Sequence, residues 1–212
     1  YKAGVPTLDL PTDRPRPRLR TTNASRVDHE IDAALVAELR KFGARQGASL
    51  FASLFAVFAT LMRRLSGQTD VVVGIAAAGQ SVGSWKSLVG HCVNILPVRG
   101  DVPESMGIDA VVKKTQSELL DAFEHQQFTF GTLLKKLAIG RDPSRLPLVS
   151  VLFNLDQRID EASLQFPGLG FEMMANPRSQ ENFEIFLNAV PVPQGLRFEA
   201  QFNTDLYDER SV

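Results

Sequence analysis

The spacing of apolar positions changes several times along the chain, and each change marks an element. In "RVDHEID" (26–32) Val27, His29 and Ile31 alternate with charged neighbours, a period of two that predicts a strand with His29 on the aliphatic face. From Asp32, a side chain suited to an N-cap, Leu35, Leu39 and Phe42 recur at helical spacing until Gly47 stops the pattern. Ser49 caps a second predicted helix that is apolar nearly all round. Leu50, Leu54, Val57, Leu61 and Leu65 form one face, and Phe51, Phe55, Phe58 and Met62 another. Such a helix is expected to be covered on several sides. The run "TDVVVGIAAAG" (69–79), apolar without interruption and ending in glycine, has the pattern of a strand buried on both faces.

Further along, "LVGHCVNILPVRG" (88–100) reads as a strand. Ile108, Val112, Thr115, Leu119 and Phe123 then define a helix whose other face carries Lys113, Lys114, Glu118 and Asp121. The remainder is β-rich, with strands predicted at "PLVSVLFNLD" (147–156), "FEIFLNAV" (183–190) and "LRFEAQFN" (196–203). In the last, Leu196, Phe198, Ala200 and Phe202 alternate with Arg197, Glu199, Gln201 and Asn203, so the final two strands are expected to form an antiparallel hairpin with one wet face. "LYDERSV" breaks off where another element could begin. The fold class is α/β, a mixed sheet with packed helices.

Composition narrows the function classes. With 212 residues, 44% of them hydrophobic, the chain can bury a sizeable core. Its 23 Lys and Arg against 24 Asp and Glu leave no field to hold a polyanion or an anionic membrane, which argues against a nucleic-acid or membrane partner. The single cysteine excludes an internal disulfide and fits a cytoplasmic location. The longest apolar stretch, "LFASLFAVFATLM" (50–62), falls short of the roughly 20 residues of a membrane span. "LPTDRPRPRLR" (10–20), with three prolines and four arginines, reads as a linker lying on a surface. The chain opens on Tyr1 rather than Met and reads as a piece of something longer.

Three segments invite a chemical reading. "GIAAAGQS" (74–81) comes close to a phosphate-binding loop, but Gln80 stands where that loop needs a lysine. His91 and Cys92 are adjacent, and in a strand adjacent side chains point to opposite faces, so they do not meet as base and nucleophile. Cys92 is expected in the core. Metal binding would need His29 or His125 to converge with acids, and no H-x-x-x-H spacing exists. In "IGRDPSRLPL" (139–148) Asp142 and Ser144 can satisfy backbone amides in a turn preset by Pro143, while Arg141 or Arg145 could pair with a carboxylate. That segment is either a structural corner or a clamp for an anionic substrate, and the corner is the preferred reading.

Taken in order, three segments resemble the motifs of condensation domains of non-ribosomal peptide synthetases. "LVGHCVNILPVR" is similar to their (I/V)-G-x-F-V-N-T-x-x-x-R segment at Val89, Gly90, Val93, Asn94 and Arg99. "HQQFTFGTLL" (125–134) resembles H-Q-x-x-P-F-E, and "RDPSRLPL" resembles R-D-x-S-R-N-P-L. Softer likenesses are "LDLPTDRPRP" to the family's inter-lobe linker and "SGQTDVVVGIAAAGQ" to G-Q-x-D-[IV]-V-[IV]-G-x-P-x-A-G-R. Leu146, Thr129, Gly131, Cys92 and Gln80 depart from the family's asparagine, proline, glutamate, phenylalanine and arginine.

The resemblance covers only the family's C-terminal lobe. It implies residues 1–22 as inter-lobe linker and 23–212 as a chloramphenicol-acetyltransferase-like lobe lacking its final helical element. It also implies a tunnel between this lobe and an N-terminal lobe, entered by two phosphopantetheine arms of peptidyl or acyl carrier proteins, with an adenylation domain adjacent. No cofactor is expected to bind the chain directly. The family's catalytic H-H-x-x-x-D-G is absent, and no two of the three histidines here are adjacent, so no catalytic, cofactor or metal residue is assigned and the isolated chain is expected to be inactive. Arg141, Asp142, Ser144 and Arg145 match positions that brace the tunnel wall near the lobe interface. Asn94 and Arg99 match positions that are mainly structural. A partner-recruitment domain or an epimerisation lobe of the same fold is the alternative.

Overall fold

In a computed structural model, residues 4–5, 7–78, 89–137, 139–140, 142–157, 166–170, 176 and 178–212 are described. The elements are β1 (Ala24–Asp32), α1 (Ala33–Arg45), α2 (Leu50–Ser66), β2 (Asp70–Ala78), β3 (Val93–Asp101), α3 (Ile108–Glu124), α4 (Phe130–Leu137), β4 (Val151–Leu155), β5 (Ile185–Val192) and β6 (Gly195–Asn203). Among the described residues the strands form one mixed six-stranded sheet in the order β1-β6-β5-β4-β2-β3. The β2–β4 and β4–β5 pairs are parallel and the other three antiparallel.

Both predicted helix starts are capped as their sequences require. Asp32 Oδ1 accepts from the Leu35 amide at 2.7 Å, and Ser49 Oγ accepts from the Ala52 amide at 3.1 Å. On α1 Leu39 and Phe42 pack against the core as the spacing suggested, with Val36 and Gly43 buried, whereas Leu35 at the first turn stays 49% exposed. On α3 the buried positions are Val111, Val112, Thr115 and Leu119, and Ile108 at the first turn is exposed.

The core lies between the helices and one face of the sheet. Its centre is Phe153 on β4, fully buried, on which Phe51, Phe55 and Phe58 of α2 pack with ring centroids 5.6, 6.0 and 5.7 Å away. Ile75 and Val73 of β2 and Leu96 and Val98 of β3 extend this layer toward α3. α2 is covered on several sides as expected, by α1, α3 and the sheet, and only Val57, Leu61 and Leu65 remain 48, 48 and 49% exposed. The aromatic stripe reaches the sheet, Leu50 and Leu54 of the aliphatic stripe are buried in the core, and the rest of that stripe faces outward. Among the described residues no single helix is long and apolar enough to cross a membrane.

The β5–β6 hairpin is antiparallel as predicted, with Val192 paired to Gly195 across the two-residue turn Pro193–Gln194. Its polar face is not wet. Glu199, Gln201 and Asn203 are 6, 3 and 4% exposed. Alternation fixes which residues share a face but not what covers that face, and here the neighbours come from distant parts of the chain. Arg26 of β1 and Arg197 reach Glu199 at 3.6 and 3.2 Å, and Asn203 Nδ2 donates to the Thr21 carbonyl at 2.9 Å. In register, Asp28, Glu199, Asn188 and Asn154 make one polar row across β1, β6, β5 and β4.

The opening of β3 also departs from expectation. The strand begins at Val93, so His91 and Cys92 precede it and strand alternation does not govern them. Cys92 is half-buried, not a core residue, and Val89 is 96% exposed. The run was apolar enough for a strand, but pairing with β2 starts only where Ala78 meets Val93. Of the near phosphate-binding loop, residues 74–78 are a paired strand, which offers no cradle of free amides, and 79–81 lie outside the described residues.

Gly74 of β2 is crowded by side chains at and just before its neighbouring strand β4. A Cβ there would lie 2.6 Å from Val149 Cγ1 and 2.8 Å from Leu152 Cδ1. Gly74→Ala is expected to destabilise the fold by about 1–3 kcal/mol through overpacking, read as a lowered urea midpoint at unchanged slope.

Candidate functional site

Two of the segments singled out in the sequence become well-defined structures, held by different neighbours. The first is a staple made by Asn94 at the start of β3. Its Nδ2 donates to the carbonyls of Gln126 and Phe128 at 2.9 and 3.2 Å, and its Oδ1 accepts from the Phe130 amide at 3.1 Å. One side chain thereby satisfies three backbone groups of the α3–α4 turn and fixes where α4 begins. Arg99, further along the same strand toward Asp101, holds Asp70 through Nε at 2.9 Å, locking the far end of the β2–β3 pair.

Between β3, α3 and α4 the staple leaves a cleft of about 490 Å³ bounded by Leu96, Pro97, Glu118, Ala122, Phe128 and Leu133. No residue of α4 is buried, so this amphipathic helix presents Leu133 to the cleft without closing it. Glu118 at its edge belongs to a polar seam that the sequence reading missed. Arg63 of α2 is 8% exposed with Nη1 lacking a hydrogen-bond partner, and Glu118 of α3 approaches the same glycine, Gly100. Burial raises the Glu118 pKa above the ordinary carboxylate value, with Lys114 and Arg63 pulling the other way. Burial likewise lowers that of Arg63.

The second structure is the corner formed by "RDPSRLPL". Arg141 lies outside the described residues. Asp142 Oδ1 accepts from both the amide and the hydroxyl of Ser144, at 2.8 and 2.7 Å, a side-chain-closed turn of the kind predicted. The Ser144 hydroxyl and then its amide hold the Asp142 carboxyl below its usual pKa. Arg145 does not face solvent as a substrate clamp. Its Nη1 donates to the Leu8 carbonyl at 2.8 Å and its Nη2 to Asp9 at 2.7 Å. Through Arg145 the corner therefore grips the segment 8–9. It ends in strain: Leu148 has φ 70°, and the Val149 amide reaches the Pro147 carbonyl at 2.8 Å, a γ-turn with a non-glycine residue at its centre. This tight turn delays β4, which begins at Val151 and not at Pro147.

Beside the corner lies a buried charge pair that the sequence hinted at only by a lone acid between Phe183 and Ile185. Arg16 donates to both Glu184 oxygens at 2.8 and 2.9 Å, with side chains 16 and 10% exposed. Tyr207 OH lies 3.4 Å from the same carboxylate, and burial, then that charge, raises the Tyr207 pKa well above its ordinary value, so it stays a neutral donor. Nothing in this constellation joins a nucleophile to a base. His29 lies on β1, His91 ahead of β3 and His125 at the C-cap of α3, and among the described residues no group of three His, Cys, Asp or Glu is placed to hold a metal ion. The arrangement can bind, brace and exclude water.

The sequence matches the family model described as Condensation domain over residues 1–212. The chain belongs to the condensation domain family. Tyrocidine synthase 3 of Brevibacillus parabrevis is 31% identical over 212 residues, 100% of this chain and 3% of the relative. Bacitracin synthase 3 of Bacillus licheniformis is 29% identical over 212 residues, again 100% of this chain and 3% of the relative. This condensation-domain chain thus spans less than a tenth of the curated relatives it matches. The fold is shared with the X-domain from teicoplanin biosynthesis, at TM-score 0.87 and 22% identity over 99% of this chain and 48% of that one. It is shared also with the condensation domain of the monacolin K polyketide synthase, at TM-score 0.79 and 17% identity over 97% and 49%.

Two measurements check the electrostatics. Arg16→Ala leaves Glu184 buried and unpaired and is expected to cost on the order of 3 kcal/mol by urea unfolding, with Arg16→Met plus Glu184→Leu recovering most of the loss. For Glu118, the raised folded pKa means the folded chain holds the proton more tightly than the unfolded chain. Its stabilising contribution is therefore complete below pH 4.5 and lost as pH rises through the folded value. Glu118→Gln is expected to flatten the fall in melting temperature between pH 4.5 and 7, measured by calorimetry.

Proposed function

We propose that this chain is the C-terminal lobe of a condensation domain in a non-ribosomal peptide synthetase. Together with an N-terminal lobe it forms the amide bond between acyl and aminoacyl groups held as thioesters on peptidyl or acyl carrier proteins. In that reaction the acceptor amine attacks the donor thioester carbonyl, the amide forms, and the donor thiol leaves. The single observation that carries this reading is the half-length match. The chain aligns along nearly its whole length with 48–49% of two-lobed relatives, yet contains no pair of adjacent histidines that could supply H-H-x-x-x-D-G.

On this reading residues 23–212 form one tunnel wall, residues 1–22 are the crossing from the other lobe, and the phosphopantetheine arms enter as substrates rather than cofactors. Asn94 holds the cleft-side helix in place, and Asp142, Ser144 and Arg145, with Arg141, fix the wall near the lobe junction. The adjacent adenylation domain supplies the acceptor, and the assembly works in the cytoplasm. Leu146, Thr129 and Gly131, where the family pattern has asparagine, proline and glutamate, support a second reading, a lobe that recruits partner proteins without chemistry or one from an epimerisation domain.

Mass spectrometry of carrier-loaded donor and acceptor separates these readings. The full-length polypeptide is expected to yield the amide and the isolated chain none. Asn94→Ala in the full-length protein is expected to slow amide formation by loosening α4, at about 1–3 kcal/mol of stability. Amide formed by the isolated chain would overturn the half-enzyme reading. No amide from the full-length protein with any carrier-bound pair would favour recruitment.

A further inference from the structure

We propose that the cleft between the C-terminal end of α2 and the segment leading from β3 into α3 binds an oxyanion with a short apolar tail, a carboxylate or a phosphate monoester, with Arg63 as its charged anchor. The site is independent of the condensation reading. It lies past Asp101, at the opposite end of β3 from Asn94, and its test reads binding rather than amide formation.

Local sequence builds one wall of the cleft. Thr60, Arg63, Arg64 and Gly67 fall three and four residues apart and so share a stripe of α2, which ends at Gly67 in the left-handed region with φ 68°. The other wall is the turn after β3, closed by the Met106 amide donating to the Pro103 carbonyl at 3.0 Å, together with Val111 in the first turn of α3. Between the walls lie about 380 Å³, room for a small molecule. The apolar part of the lining is Val102 and Val111, both buried, and Met106, which packs against the core.

Much of the polar part is already committed. Thr60 Oγ1 donates to the Ala56 carbonyl at 2.7 Å, and the Gln68 amide is held at both ends, by the Asp9 amide at 2.9 Å and the Thr7 carbonyl at 3.0 Å. Arg63 is different. It is 8% exposed, yet its Nη1 has no hydrogen-bond partner among the described residues. A buried guanidinium left unsatisfied costs stability, so the side chain is poised for a partner that enters the cleft. Its acidic neighbour Glu118, which also approaches Gly100, makes its ion pair with Lys114, at 3.7 Å. Basic side chains in the last turn of a helix complement its dipole, and this accounts for the exposed Arg64. It does not account for burying Arg63, because an exposed side chain meets the dipole without that desolvation. An oxyanion would satisfy the Arg63 donors, Arg64 would add a second positive charge, and the tail would cover Val102, Met106 and Val111. Glu104, the acid in the lining, is exposed and opposes an anion only through solvent.

Titration calorimetry on the full-length polypeptide tests this with octanoate, octyl phosphate, octylamine and inorganic phosphate. At least one of the two tailed acids is expected to bind saturably at millimolar concentration, and the tighter of them names the oxyanion. Octylamine is expected not to bind, and inorganic phosphate to bind about tenfold more weakly than the tighter acid, because it leaves the apolar lining uncovered. Arg63→Met is expected to weaken that acid about tenfold or more. Glu104→Lys, an exposed change that keeps Arg63 in place, is expected to tighten it about threefold, and it reads the same cleft even where Arg63→Met fails to fold. No saturable binding of either acid, equal binding of octylamine, or an affinity that Glu104→Lys leaves unchanged would overturn the proposal.

Discussion

Phe153 on β4 is the contact on which the rest of the lobe depends. Three phenylalanines one helical turn apart on α2 close over it, and that packing sets α2 across the middle of the sheet, between the parallel strand pairs and the antiparallel edges. Once α2 occupies that face, α1 and α3 fill in on either side of it, and the opposite face of the sheet carries a polar row beside the buried Val72 and Leu152. The division of labour follows from one aromatic cluster: one face holds the fold together, and the other carries the Asp28–Glu199–Asn188–Asn154 row.

That second face shows why burial and polarity are separate properties. Glu199, Gln201 and Asn203 are as buried as core residues, yet each has a partner reaching it from a different part of the chain. Buried polar groups that are fully paired fix a unique geometry more than they add net stability. The same holds for Arg16 and Glu184, which orient the incoming chain against the sheet. Specificity of placement, rather than a reactive group, is what these charges provide.

The motifs that identify the condensation family have the same character here. Asn94 makes a turn, Arg99 locks a strand pair, and Arg145 holds the passing segment 8–9. All three recognise backbone or carboxylate groups of the chain itself.

Periodicity alone revealed the six strands, the helices α1, α2 and α3, the Asp32 and Ser49 caps and the α/β class, because those depend on local spacing and on side chains three residues apart. The turn at Asp142 and Ser144 was legible for the same reason. Sequence could not show that His91 and Cys92 lie outside β3, since the strand's start is set by where β2 ends across the pair. Nor could it show that Val57, Leu61 and Leu65 of α2 would stay exposed, that the polar face of β6 would be buried, or that Arg145 would bind Leu8, 137 positions away. Each of those outcomes is a question of what lies opposite, and a residue's own neighbours in sequence carry no information about it. Local pattern chose the elements, and long-range packing decided which of their surfaces met.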